Sequence, residues 1–462
     1  MGKRILGLLI AVLFIWVSAA SAAEIQGVRS RMGTSGLRIV VDLNEPSTYT
    51  EKSNSDQTEL TLTIQGAVKG DIPATIAGGS FAKSVQLSKE GKALIIKVKF
   101  AESGNWDILT LKGPDRIVLD LGEPPEVVRE SEIAPGIISS YHKTTINGKP
   151  VQIYALKIAS GAGEIRPVLA GGEVGHRETV SSLAKFWNAI GAVNGGYFAS
   201  NGQVIGNLKI DNQWVSGAGQ NRTAWGFTKD GKNVVGTFSY QGKAVLPDKR
   251  EVTIDGINVP RGDNQLVLYN FWQGRHTETN EWGLEVQIED QKITSIRNGD
   301  SSLSRKEEVL SAHGQAADLL FGLAPGEIVQ IRDKNGNNWE KTIHLISAGP
   351  RLIADGKIKV TSREEAFPAD ISVGRAPRTA IGETAKGATW LIVVDGRSQT
   401  SVGMTLEELA KYLRDQGIVE AMNLDGGGSS AIVAEGQILN SPSDGSERRV
   451  PTALIVVPKR GK

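Results

Sequence analysis

The sequence has no cysteine. That removes disulfides, thiol nucleophiles and Cys-ligated zinc together, so stability must come from cores large enough to need no covalent staple. Aromatic residues are scarce at 6%, and the formal net charge is only +1. No basic field therefore draws the chain to nucleic acid or to an anionic membrane. After the first two dozen residues, no apolar run reaches the roughly 20 residues that span a bilayer as a helix. The short catalytic signatures are missing as well: there is no G-x-S-x-G elbow, no H-E-x-x-H, no Walker A loop and no G-x-G-x-x-G. His142, His176, His276, His313 and His344 are scattered without ligand spacing, which argues against a His-based zinc site.

Glycine is what the chain has in quantity, 54 of 462 residues. With 40% apolar and 22% charged residues, the composition is that of a globular protein of two or three domains, rich in strands and tight turns. Residues 1–23 read as a leader. Lys3 and Arg4 precede an apolar run from Ile5 to Val17, and small residues follow as far as Ala23, the pattern of a cleavable signal peptide. Cleavage after Ala22 or Ala23 would leave a secreted protein of the cell envelope, periplasmic, wall-bound or extracellular, with no stable membrane insertion.

Residues 24–122 alternate apolar and polar positions in Arg38–Leu43, Glu59–Ile64, Leu94–Phe100 and Arg116–Leu121, as half-buried strands do. The expectation is an all-β sandwich. Pro124-Pro125 and the charged residues after them read as a linker over 123–136. A second domain, 137–460, shows two helical patterns. Leu406 to Gln416 has Thr405 and Glu408 as a capping box, an apolar stripe of Leu406, Leu409, Ala410 and Leu413, and Gly417 as its stop. Val180 to Ala189 turns Leu183, Phe186, Trp187 and Ile190 inward. An apolar strand follows each helix, so the fold class expected is α+β: a β-sandwich, then a mixed α/β domain.

The chemistry concentrates where strands end. Trp390–Val394 runs into Asp395-Gly396-Arg397. Ala421-Met422-Asn423-Leu424 runs into Asp425-Gly426-Gly427-Gly428-Ser429-Ser430. Consecutive glycines bring entropy loss and no packing, so the run is either a tight turn or a place where backbone N–H groups approach an anion, with Ser429 and Ser430 adding donors. Two strand-end carboxylates, Asp395 and Asp425, suit glycoside chemistry; they could equally hold a divalent cation, Ca or Mg. Arg378 and Arg397 are candidates for bidentate phosphate contact, with Thr379 beside the first. Asn194-Gly195-Gly196-Tyr197 repeats the strand-end pattern, with an aromatic that could stack on a sugar or simply fill the core. His313, before Gly314, is the one histidine with a candidate catalytic role.

Taken together, these segments resemble the phosphodiester glycosidase family. The resemblance is carried by Asn194–Phe198, Ser347–Ile353, Pro377–Gly382, Asp395–Arg397, Gly403–Ala410, Asn423–Ser430, Asn440–Gly445 and Arg448–Pro451, in order over about residues 140–458. Residues 24–122 are similar to AMIN domains, on the paired R-I-V-x-D-L strands, which implies a peptidoglycan partner. The family resemblance implies hydrolysis of a sugar 1-phosphodiester, as in N-acetylglucosamine-1-phosphodiesters, within envelope glycan or exopolysaccharide metabolism. It places Arg378, the Gly426–Gly428 amides and both serines on phosphate, and Asp425 or Asp395 at the sugar ring or its attacking water. Two other readings stand beside it: a metal-assisted phosphodiesterase cutting P–O, and a non-catalytic wall protein that only binds glycan.

Overall fold

The computed structural model describes residues 23–33, 36–79, 81–100, 104–122, 127–333 and 336–459. The expected leader, as far as Ala22, and the Pro124-Pro125 pair lie outside the described residues. The chain divides into two compact units after Pro125.

In the first unit the two R-I-V-x-D-L copies are antiparallel neighbours, so Arg38 lies opposite Asp120 and Arg116 opposite Asp42. Arg38 grips the Asp120 carboxylate through two N–H groups, each at 2.7 Å, a bidentate arrangement that satisfies a nearly buried acid. These strands lie inside one five-stranded sheet, and Glu59–Gln65 with Ala93–Lys99 lie inside another. Leu37, Ile39, Val41 and Leu119 of the first sheet share one core with Leu60, Leu62, Ile64, Leu94 and Ile96 of the second.

The second unit is not a mixed α/β domain. Among the described residues 49% are strand and 9% helix, and the larger sheets of this unit have eight, ten and five strands. The apolar strands that follow the two helices pair antiparallel with their neighbours rather than through parallel crossovers. The helical periods were real but brief: Val180–Phe186 has seven residues and Leu406–Asp415 has ten. The first of these stops early. Trp187 caps it, Asn188 takes a left-handed φ of 49°, and Phe186 and Trp187 end 80% and 39% exposed rather than inward. The expected linker is corrected too: Val127–Ala134 is an edge strand paired to Ile137–Ile146. The charges that read as a linker are its solvent face, with Glu130 paired to Lys157 at 2.5 Å, and charge on an edge strand blocks further pairing.

The centre of the eight-stranded sheet fixes the geometry that matters. Arg378–Thr384 runs between Thr389–Val394 and Ile418–Asn423 and is antiparallel to both. Those two outer strands are therefore parallel to each other and deliver their C-terminal ends, Asp395 and Asp425, to one edge. One face of the sheet packs on the five-stranded sheet through Leu391, Val393, Met422, Val193, Ile432 and Leu454. The other face takes the helix Leu406–Asp415, whose Leu406, Leu409 and Leu413 meet Ala380, Ile392 and Ala421. Thr405 and Glu408 form a reciprocal capping box at its start.

This packing sets a ranking. Leu409→Ala is expected to lower unfolding free energy by about 2–5 kcal/mol and Thr405→Ala by about 1 kcal/mol, measured by urea denaturation. Equal losses would mean that the apolar face does not anchor the helix.

Candidate active site

Asn194 ends the strand Gly191–Asn194 of the five-stranded sheet and is 0% exposed. Its Oδ1 accepts from Thr379 Oγ1 at 2.8 Å and from the Ala431 N–H at 3.2 Å, and its Nδ2 donates to the Asp425 carbonyl at 2.7 Å. The Asp425 N–H in turn donates to the Gly195 carbonyl at 3.1 Å, and the Gly195 N–H donates to Thr452 at 2.8 Å. Asn194, Gly195, Thr379 and Asp425 therefore form one connected unit drawn from two sheets. Gly196 follows, with Ser347 O 3.3 Å from where a Cβ would stand.

Asn423 and Tyr197 lie beneath this unit. Asn423 Nδ2 donates to Tyr197 Oη at 2.9 Å, and Tyr197 donates to the Gly349 carbonyl at 3.0 Å. The Tyr197 ring packs 5.5 Å from Phe367 inside the core. Of the two uses open to Tyr197, stacking on sugar or filling the core, it takes the second.

The glycine run is a close-approach device. Four of its amides are turned inward: Gly426 N–H donates to Asp425 Oδ1, Gly427 to Pro377 O, Ser429 to Gly426 O and Ser430 to Gly427 O. The Gly426 and Gly427 amides are therefore spent within the fold rather than on the anion cradle that the resemblance implied for them. Gly427 has φ +60°, with the Arg397 guanidinium 3.2 Å from where a Cβ would stand, and a Cβ on Gly428 would fall 2.1 Å from Arg448 Nη2 and 2.2 Å from Asp444 Oδ2. The glycines let two arginines lie against the backbone, a contact that a side chain would block. Arg397 reaches Ser443 Oγ at 3.4 Å; Arg448 holds Asp444 at 2.6 Å and Ser429 Oγ at 3.4 Å.

Arg378 does something else. It is 3% exposed, and its Nε, Nη1 and Nη2 donate to the carbonyls of Met404, Ile371 and Gly374, each at 2.9 Å. Three of its five donors are committed to shaping the surrounding loops, so its first duty is structural.

The two aspartates differ. Asp395 is 4% exposed and accepts from Asn440 Nδ2 at 3.1 Å and from the Ser441 N–H at 3.1 Å; burial raises its pKa while these bonds hold it down. Asn440 also donates to the Ser430 carbonyl at 3.1 Å, tying the Asp395 loop to the glycine loop. Asp425 keeps part of its surface open. Desolvation pushes its pKa up to about 6, against Ser429, the Gly426 amide and the more distant Arg448, which act in the opposite direction. Ser430 Oγ and Asn423 Oδ1 are buried here without a described partner.

His313 is elsewhere. It follows Glu307–Ala312 in the ten-stranded sheet, with Nδ1 3.5 Å from Asp263, and no described contact ties it to either aspartate loop. Among the described residues no three His, Asp or Glu side chains converge as a metal-ligand set. Asn440, Asp444 and Arg448 belong to the cluster and were not singled out from sequence, although their segments carried the family resemblance. Nothing local distinguishes an Asn that bridges two loops from one in a turn.

The profile of the phosphodiester glycosidase family matches residues 283–457. N-acetylglucosamine-1-phosphodiester alpha-N-acetylglucosaminidase of Bos taurus is 34% identical over 131 residues, 25% of this chain and 24% of that one. This C-terminal segment, less than half of the chain, is what is similar to the phosphodiester glycosidase family. The matched span holds the Arg378, Asp395, Asp425 and Arg448 segments, while the Asn194 clamp lies upstream of it. The SPbeta prophage-derived uncharacterized protein YomE of Bacillus subtilis is 42% identical over 129 residues, 26% of this chain and 20% of that one. The chain thus spans about a quarter or less of these two relatives. A crystal structure of a hypothetical protein from Synechocystis shares the fold, with a TM-score of 0.67 and 22% identity over 95% of this chain and 81% of that one.

The clamp gives a direct expectation. Asn194→Ala leaves the Thr379 hydroxyl, the Ala431 N–H and the Asp425 carbonyl without their partner, at about 1–3 kcal/mol for a buried polar group so orphaned. A marked fall in thermal midpoint is expected; a variant that melts with the wild type would show that the clamp does not hold the site.

Proposed function

We propose that this protein is a glycosidase that hydrolyses a sugar 1-phosphodiester of the N-acetylglucosamine type. The bond from the anomeric carbon to the bridging oxygen breaks, a phosphomonoester leaves, and water adds to the anomeric carbon to give the free sugar. The observation that carries the reading is Asp425: a partly open carboxylate at the head of a glycine loop against which two arginines, Arg397 and Arg448, lie. A sugar ring gaining positive charge needs a fixed negative group, and a departing phosphate needs fixed positive ones. Asp425 is the group at the ring or its attacking water, Arg397 and Arg448 face the phosphate, and Asp395 positions the Asn440 bridge. The relatives named as N-acetylglucosamine-1-phosphodiester alpha-N-acetylglucosaminidases support the substrate class. The leader supports a secreted protein acting on envelope glycan or exopolysaccharide, and the AMIN-like strand pattern supports peptidoglycan as the partner of the first unit.

Hydrolysis in heavy-oxygen water tests the bond cut: label should enter the sugar, whereas label in the phosphate would mean P–O cleavage and sink the proposal. Asp425 acts as the anion, so protonation silences it. With its pKa at about 6, kcat/KM should fall as pH drops through that value and level off above it. Asp425→Asn should remove that limb and lower kcat by roughly 10²–10⁴-fold. Full activity in both Asp425→Asn and Asp395→Asn would overturn the assignment.

A further inference from the structure

The ten-stranded sheet and the small sheet beside it border a cavity of about 330 Å³ that shares no lining residue with the aspartate loops. Trp214, Tyr240 and Phe271 line it, with the carboxylates of Asp333 and Glu308 and the side chain of Arg305. Its aromatic wall is held in place. Trp214 Nε1–H donates to Asp333 at 2.5 Å and Tyr240 Oη–H to the same carboxylate at 3.1 Å. Trp214 stacks on Phe238 with ring centres 5.6 Å apart. The Arg305 guanidinium lies over the Phe271 ring, 5.0 Å from its centre.

Glu308 is the group these contacts leave unexplained. It projects from an interior strand of the ten-stranded sheet, half-buried, and its carboxyl has no described hydrogen bond or ion pair. Burial and the nearby Asp333 both raise its pKa. An acceptor partly withdrawn from water, with no protein donor beside it, is a place that a ligand's donors would satisfy.

We propose that this cavity binds a neutral saccharide of one or two rings, as a glycan-holding site separate from the aspartate loops. The volume lies at the low end of the roughly 300–1,000 Å³ of small-molecule sites. Phe238 and Arg305 each take a face of Trp214 and Phe271, so the rings present an apolar wall of edges to the C–H groups of a pyranose, with the polar atoms of tyrosine and tryptophan at its margin. Glu308 and Asp333 accept from sugar hydroxyls, and Arg305 donates to ring or carbonyl oxygens. Arg305 and Lys306 offset most of the charge of Glu307, Glu308 and Asp333, all of them lining residues, so the cavity is not built for a strong cation or anion. The site stands whether or not Asp425 is catalytic.

The test titrates the full chain carrying Asp425→Asn, chosen to slow any turnover, with N,N′-diacetylchitobiose, maltose and choline, followed by tryptophan emission and calorimetry. Saturable binding of at least one disaccharide is expected at about millimolar affinity. Glu308→Gln, Glu308→Ala and Phe271→Ala should each weaken it roughly tenfold or more, with urea midpoints showing which variants remain folded. In the chain with Asp425 intact, Glu308→Gln should leave hydrolysis of a small sugar phosphodiester unchanged. Neither disaccharide binding, binding indifferent to the folded variants, or choline binding in place of the sugars would each overturn the proposal.

Discussion

Asn194 is buried between the eight-stranded and five-stranded sheets, and its carboxamide works in three directions. A side-chain amide has two acceptor lone pairs and two donors, and here both acceptor sites and one donor are used. The acceptor side fixes Thr379 at the start of the central strand and Ala431 after the glycine loop. The donor side fixes the Asp425 carbonyl. Because Arg378–Thr384 is antiparallel to both flanking strands, the edge at which Asn194 operates is also where Asp395 and Asp425 emerge. Sheet order brings the aspartates to one edge; the amide sets the height and angle at which one of them leaves it.

The electrostatics follow from that placement. Moving the Asp425 pKa from 3.8 to about 6 corresponds to about 3 kcal/mol in favour of the neutral acid. Desolvation wins even though Ser429 and the Gly426 amide both favour the anion. A poorly solvated carboxylate interacts more strongly with a positive charge that develops beside it, because little water screens the pair. On the proposed chemistry, that charge appears on the sugar ring only as the bond breaks. Asp395, by contrast, has its lone pairs engaged by Asn440 and Ser441 and is poorly placed to react.

How much of this could be read from sequence depends on whether the signal was local. The strands of the first unit were legible because alternation is a property of neighbours. So was the capping box of Thr405 and Glu408, which needs four residues and no tertiary information. The inward face assigned to Phe186 and Trp187 failed because one left-handed residue, Asn188, ended the helix before they could turn in. The charged residues within 123–136 read as a linker because an edge strand and a linker can share a composition. The α/β expectation counted two helices without knowing how the strands after them pair. Tyr197 was open between two uses, and only the position of Phe367 decides between them.

The arginines show the limit most clearly. Arg378 and Arg397 are equivalent as residue types, each beside a strand end, and either suits phosphate. Their surroundings separate them. Three carbonyls, from Met404, Ile371 and Gly374, converge on Arg378 and tie its guanidinium to the loops that enclose the central strand. Gly427 leaves room for Arg397, and Gly428 does the same for Arg448, so these two lie along the open side of the loop. The glycine run was read as a set of donors because consecutive glycines expose amides. In the fold the Gly426 and Gly427 amides close the turn, and guanidinium groups arriving from other segments lie against the run. The run serves the site by the volume it leaves empty, which is a property of what packs against it and so is absent from the run itself.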